Sequence, residues 1–188
     1  MKKLFAITSI ALLTSTAFAA EAGKTETGLD YNEAAVSYVS MENQSVTYTG
    51  YAVNATYLLT ENVFVGGDYT SVSKSSTTIG RTTGLVGYRM PLASTLDGFV
   101  TVGYTSGKVT GDTAKDMFPM GLGLRASVTP DLDVRGSVNY VDAKETQTGF
   151  SGLIKYKFNN NMFVNGGYIY SKGKTAYNTY TLGVGIKF

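Results

Sequence analysis

Three residue types are missing from the 188-residue sequence, which has no cysteine, no histidine and no tryptophan. The lack of cysteine excludes disulfide frameworks, thiolate zinc sites and thiol nucleophiles. The lack of histidine removes the commonest general base and metal ligand. Proline is scarce, with 3 residues, and charged residues make up 16% of the chain. An ordinary soluble domain has about 25% charged residues, so a solvated helical bundle is disfavoured.

Apolar and small residues are plentiful instead. The chain is 43% hydrophobic and contains 22 Gly, 14 Tyr and 9 Phe. This content is too apolar for a disordered chain, and the length suits one domain.

The first 19 residues have the organisation of a secretory signal peptide. Lys2 and Lys3 precede an apolar stretch at 4–13, and Ala17 and Ala19 supply the small residues that a signal peptidase reads. The stretch is too short for a transmembrane helix, which needs about 20 apolar residues. We predict cleavage after Ala19 and a single domain at 20–188. Without the two lysines, 14 of the 16 basic residues remain against 14 acidic ones, so the charge does not indicate a nucleic-acid partner.

Beyond residue 20, apolar residues recur at every second position, which is the period of a β-strand with two different faces. Ala34, Val36 and Tyr38 alternate with Glu33 and Ser37, for example. We predict ten strands, at 31–40, 48–58, 63–70, 81–90, 99–105, 117–128, 134–140, 150–158, 162–170 and 180–188. Four connections are expected to be short turns, at 60–62, 91–97, 129–132 and 159–161. The other five, at 41–47, 71–80, 106–116, 141–148 and 171–179, are expected to be longer loops.

An even strand number with alternating short and long connections is typical of a transmembrane barrel. The strands of a soluble barrel also alternate, so the residue types on each face must distinguish a soluble barrel from a transmembrane one. Aromatic residues lie near the strand ends on the apolar face, as expected for two interfacial girdles. These are Tyr38, Tyr57, Tyr69, Tyr88, Tyr104, Tyr140, Phe158, Tyr170 and Tyr180, with Phe188 at the end of the chain.

The opposite face carries glycines and charges, which we expect to point into a narrow lumen. Its predicted lumen charges are Glu33, Asp68, Arg81, Arg89, Arg125, Arg135, Lys155, Lys157 and Lys187, with Asp133 as a further candidate. The predicted fold class is therefore an all-β, closed, antiparallel, up-and-down transmembrane barrel of ten strands.

The last strand alternates Tyr180, Leu182, Val184, Ile186 and Phe188. In this pattern, and in the related pieces at 63–69 and 162–168, the chain resembles the small single-domain outer-membrane β-barrel proteins of Gram-negative bacteria. The resemblance implies location in the outer membrane among lipid and lipopolysaccharide, and recognition of the last strand by the outer-membrane assembly machinery. Eight strands are commoner among small members, so eight is the alternative count.

No catalytic, cofactor-binding or metal-binding residue is predicted, and we do not expect an enzyme. The enzymes that resemble this architecture rely on a histidine, which is absent here, and Asp131 with Asp133 is better explained as two acids beside a turn. Two interpretations of the lumen remain: a salt-bridge network that fills it, or a small water-filled path that favours anions. A different class of function is an adhesin or recognition barrel that binds a host or surface ligand through its loops. Loop lysines suited to lipopolysaccharide phosphates are Lys74, Lys108, Lys115, Lys144, Lys172 and Lys174.

Overall fold

The computed structural model describes residues 28–44, 46–143 and 146–188. The predicted signal peptide lies outside these residues, as does Lys144. In the part described, the chain forms strands only, and it contains no helix long and apolar enough to cross a membrane.

Ten antiparallel strands follow one another around a closed barrel. They are β1 (Glu33–Asn43), β2 (Val46–Leu58), β3 (Val63–Lys74), β4 (Thr77–Ala93), β5 (Leu96–Val109), β6 (Lys115–Thr129), β7 (Leu132–Asp142), β8 (Gln147–Lys157), β9 (Met162–Lys172) and β10 (Ala176–Lys187). The barrel closes where β1 pairs with β10, with Glu33 opposite Lys187 and Asn43 opposite Tyr177. Closure gives each of the ten described strands a neighbour on both sides, so none of them is an edge strand. The predicted fold class and strand count are confirmed, and the alternative count of eight is wrong.

The predicted difference between short and long connections is wrong. We call the end where β1 begins and β10 ends the terminal end, and the other the far end. Connections are 2 to 4 residues long at the terminal end and 2 to 5 at the far end. The polar stretches assigned to loops continue as paired strands; in the β3–β4 hairpin, Ser73 and Thr78 pair, with their hydroxyl oxygens 2.9 Å apart. In this hairpin the alternation is reversed, with Val72 and Ile79 buried and Ser73 and Thr78 exposed, so the pattern of an apolar outer face ends although backbone pairing continues.

The outward face of the barrel is apolar. Leu182 is 68% exposed, and Val102 and Leu122 are 58% and 56% exposed. Large apolar side chains at such exposure on every strand would be costly in water, whereas acyl chains would cover them. All the aromatic residues predicted for the girdles also lie on this outward face. Their role as interfacial anchors remains a prediction.

The interior has a different composition at each level. Near the terminal end, Leu29, Tyr31, Leu58, Phe64, Leu85 and Phe99 form one apolar cluster. Short polar side chains occupy middle levels, where the hydroxyl oxygens of Thr83 and Thr105 lie 2.9 Å apart. A second cluster, which we call the far-end cluster, contains Val39, Tyr48, Ala52, Val72, Ile79, Val109, Met117 and Val141. The two clusters thus fill the lumen near its two ends.

Small residues are required where a side chain would enter this filled interior. A Cβ added at Gly183 would lie 2.5 Å from the Val36 carbonyl oxygen and would overlap the Ser37 hydroxyl. A Cβ at Gly152, which is exposed, would meet no atom within 4 Å.

We therefore expect Gly183→Val to lower the free energy of unfolding by about 1–3 kcal/mol, in the range for overpacking. Gly152→Val is the matched control and should change it by less than about 0.5 kcal/mol. Urea titrations of both variants in lipid vesicles measure the difference, and equal losses would contradict the inward assignment of Gly183.

Candidate functional site

Five charged side chains meet inside the terminal half of the barrel, and we call them the charge cluster. Asp133 of β7 lies 3.3 Å from Arg125, 3.5 Å from Lys155 and 2.8 Å from Lys157. Glu33 of β1 pairs with Lys155 and lies 3.5 Å from Arg125. All five are buried. The cluster thus links β1, β6, β7 and β8 across the lumen.

Three further pairs match one acid with one base. Arg89 lies 3.1 Å from Asp97, Arg81 lies 4.0 Å from Asp68, and Lys187 lies 2.8 Å from Asp30. Arg89 and Asp97 are almost fully buried, whereas the Asp30 side chain is 36% exposed. Burial of a charge costs several kcal/mol unless it is paired, so these arrangements are what an enclosed lumen requires.

Tyr31 connects the two walls of the lumen. Its hydroxyl donates a hydrogen bond to Asp97, at 3.1 Å. The guanidinium carbons of Arg125 and Arg89 lie 4.7 and 5.6 Å from the centroid of its ring, which is cation–π geometry. Residues 29, 31 and 32 before β1 are all buried. This segment therefore fills the terminal end of the barrel from within.

Arg135 of β7 stands directly opposite Arg125 of β6 in the sheet. Its guanidinium carbon lies 4.4 Å from the centroid of the Phe99 ring. Among the described residues, no carboxylate lies within 4.0 Å of its nitrogen atoms, in contrast to Arg125. Two guanidinium groups thus share one wall of the lumen, and only Arg125 has acidic partners at that distance.

The structure places all the predicted lumen charges in the barrel interior. The charge cluster contains four of them, Glu33, Arg125, Lys155 and Lys157. The separate pairs contain Asp68, Arg81, Arg89 and Lys187. Sequence analysis missed Asp97, Asp30 and Tyr31. Asp97 was assigned to the turn at 91–97, but it is the second residue of β5 and pairs with Pro91 of β4. The alternation along β5 could have revealed its inward position, because Asp97 is two residues before the buried Phe99 and so lies on the same face of the strand.

Described residues line two small cavities in the lumen. The first, of about 40 Å³, lies beside the charge cluster and is lined by residues that include Arg125, Arg135, Lys155, Asn54, Asn165 and Ile169. The second, also about 40 Å³, lies towards the far end between Arg81, Val72, Ile169 and Tyr177. Each has room for a few water molecules. Ile169, which is 5% exposed, lines both cavities.

The described residues contain no group of three or more Asp and Glu side chains arranged to hold a metal ion. The carboxylates in the lumen instead face arginine and lysine side chains. The arrangement is chemically one of charge neutralisation inside a narrow enclosed space.

A family model described as the outer membrane protein beta-barrel domain matches residues 5–188. The chain belongs to this family. As a member of the outer membrane protein beta-barrel family, it is located in the bacterial outer membrane, with lipid around its apolar outer face. No curated protein sequence matches the chain.

Solved structures with similar folds are distant in sequence. The beta domain of the Bordetella autotransporter BrkA shares 7% identity, with a TM-score of 0.57 over 85% of this chain and 100% of that one. An outer membrane channel from Pseudomonas putida F1 shares 9% identity, with a TM-score of 0.52 over 85% of this chain and 96% of that one. The KdgM porin shares 13% identity over 82% of this chain and 99% of its own, with a TM-score of 0.49. The first two similarities show that this chain has a barrel fold.

Proposed function

We propose that this protein is a structural barrel of the outer membrane whose lumen is closed at rest, and that it is not an enzyme. The observation that carries the proposal is closure at two separate levels. The charge cluster and Tyr31 fill the terminal half, and the far-end cluster fills the other end. A solute would have to separate buried ion pairs and then displace packed apolar side chains.

The closure has a physical reason to persist. Separating a buried carboxylate from its partners leaves uncompensated charge, which costs about 3–5 kcal/mol when one partner is removed. The far-end cluster adds Val72, Met117 and Val141, each at most 3% exposed. Hydrophobic packing of this kind excludes water from the axis. Both barriers would have to open together for conduction.

Planar-bilayer recording tests the proposal. We expect the refolded protein to show no discrete conductance steps in about 1 M potassium chloride, roughly sevenfold above physiological ionic strength. The reason is that the charge cluster and the far-end cluster both lie across the axis in the described part of the barrel. Heat-modifiable gel migration of the same sample should show that the barrel is folded. Discrete steps from folded protein would contradict the closed lumen.

A small anion-favouring pore is the second candidate. It is supported by the excess of basic over acidic side chains in the terminal half, and by the similarity of the fold to the outer membrane channel from Pseudomonas putida F1. Reversal potentials in asymmetric salt would show anion preference if this pore exists. Conductance with cation preference would contradict both candidates.

Recognition through far-end loops has less support. The connections at that end have at most 5 residues, so the surface available to a host or surface ligand is small. We propose that any contact with lipopolysaccharide phosphates uses Lys172 or Lys115, which end and begin strands there. Interaction of the last strand with the assembly machinery is likewise a proposal, supported by the outward alternation of Leu182, Val184 and Ile186.

A further inference from the structure

Basic side chains outnumber acidic ones in and beside the charge cluster. Three pairs, Arg89 with Asp97, Arg81 with Asp68 and Lys187 with Asp30, match one base with one acid. The remaining described lumen charges are two acids and four bases, namely Glu33, Asp133, Arg125, Arg135, Lys155 and Lys157. Two positive charges are therefore in excess. Excess charge in an enclosed interior is costly unless a counter-charge is present.

The excess faces the cavity beside the charge cluster. Arg125, Arg135 and Lys155 line this cavity together with Glu33 and Asp133, so its wall carries one more positive charge than negative. Arg135 is the base without a carboxylate within 4.0 Å among the described residues, and its guanidinium is held over Phe99. A fixed guanidinium at a cavity wall presents N–H donors to whatever occupies the space.

Polar atoms in the same cavity are unsatisfied. In the described part of the chain, Oδ1 of Asn54 and Oδ1 of Asn165 have no hydrogen-bond partner, although these residues are 3% and 7% exposed. Buried acceptors of this kind require donors, which water molecules supply. A water molecule that donates one proton to an asparagine oxygen has a second proton to donate to an anion. The cavity volume of about 40 Å³ is enough for one small anion with one or two water molecules, but not for a larger solute.

We infer that this cavity binds one small monovalent anion, of the size of chloride, between Arg125, Arg135 and Lys155. The inference rests on the closed lumen proposed above, because an enclosed site holds the ion rather than conducting it. The anion acts as a structural counter-ion that neutralises the one surplus charge of the cavity wall, which is half of the lumen's excess. It also gives the two asparagine oxygens, through bridging water, the partners that the protein side chains do not supply.

Bromide provides the test, since it resembles chloride and scatters anomalously. Crystals grown in sodium bromide should show an anomalous peak in this cavity within hydrogen-bond distance of Arg135. The urea midpoint of the vesicle-refolded protein should rise with bromide and saturate, at constant ionic strength set by sodium gluconate, whose anion is too large to enter. Absence of the peak, or the same midpoint in gluconate as in bromide, overturns the inference.

Variants locate the effect. Arg135→Gln removes one surplus charge and should abolish the saturable rise, whereas Arg135→Lys should keep it with at least a threefold weaker half-saturation. Lys187→Gln is the control, because Lys187 pairs with Asp30 away from the cavity and should leave the bromide dependence unchanged. A saturable rise that persists in Arg135→Gln contradicts the assignment. If Arg135→Gln does not fold, Arg135→Lys and the wild-type anomalous map decide. If the protein shows no conductance in planar bilayers and also binds no bromide, the anion site is overturned while the proposal of a closed lumen stands.

Discussion

Replacement of Leu122 by arginine should lower the free energy of unfolding from a bilayer by about 2–4 kcal/mol, the range for arginine at the midplane of a transmembrane barrel. Leu122 lies at the centre of β6, points outward and is 56% exposed. The guanidinium would stand in the hydrocarbon, where neither water nor a carboxylate is available to it. Urea titration of the protein folded into lipid vesicles measures the loss.

Val128 offers a matched control on the same strand. It also points outward and is 59% exposed, but it lies one residue before the end of β6, beside the turn at 130–131. Arginine at this level reaches the headgroups, so Val128→Arg should cost only about 0–1 kcal/mol. Equal losses at the two positions would contradict a lipid-facing outer surface, because a soluble barrel has no depth axis.

The second large effect is expected from Asp133→Asn. This change removes the carboxylate that lies within 3.5 Å of Arg125, Lys155 and Lys157, and leaves three buried cations with Glu33 as the remaining acid of the charge cluster. Breaking a buried ion pair by removing one partner costs about 3–5 kcal/mol. We expect a loss in this range in the same urea titration, because asparagine has nearly the same shape and differs in charge.

Asp30→Asn is the control for this prediction. Asp30 also pairs with a lysine, but its side chain is 36% exposed and water replaces the lost partner. The expected loss is below about 1 kcal/mol, as for surface ion pairs. A double variant, Asp133→Asn with Lys157→Gln, removes one surplus cation together with the acid and should recover part of the stability. If Asp133→Asn costs no more than Asp30→Asn, the charge cluster does not hold the lumen together.

The architecture could be predicted from the sequence because the two faces of each strand meet different surroundings. Alternation identified ten strands and placed Arg125 and Lys155 on the inner face, and the structure has both there. The strand ends could not be predicted in the same way. At the far end the alternation is reversed, because Val72 and Ile79 point into the far-end cluster while Ser73 and Thr78 are exposed. The paired segments at 71–74 and 77–80 therefore look like polar loops when apolar residues are expected on the outer face.

The pairing of the lumen charges depends on closure, which local sequence does not encode. Lys155 and Glu33 are separated by 122 residues and meet only because the barrel wraps them to opposite walls of one narrow space. Alternation along a strand predicts which face a side chain lies on. It does not predict which carboxylate across the lumen a lysine or arginine will pair with. Tyr31 lies in the predicted first strand at 31–40 and alternates in phase with Glu33, so the sequence indicates its inward face. Its contacts with Asp97 and Arg125 depend on closure and could not be predicted.

The pairing of β1 with β10 has a kinetic consequence. The two strands that complete the cylinder are the first and the last to be synthesised, with Ala34 opposite Ile186. Any shorter portion of the chain leaves two unpaired strand edges, which hydrocarbon cannot solvate. The polypeptide must therefore remain unfolded, or be shielded by another protein, until its final residues have arrived. Insertion and sealing then become a single cooperative event, with a slow rate expected from such distant contacts.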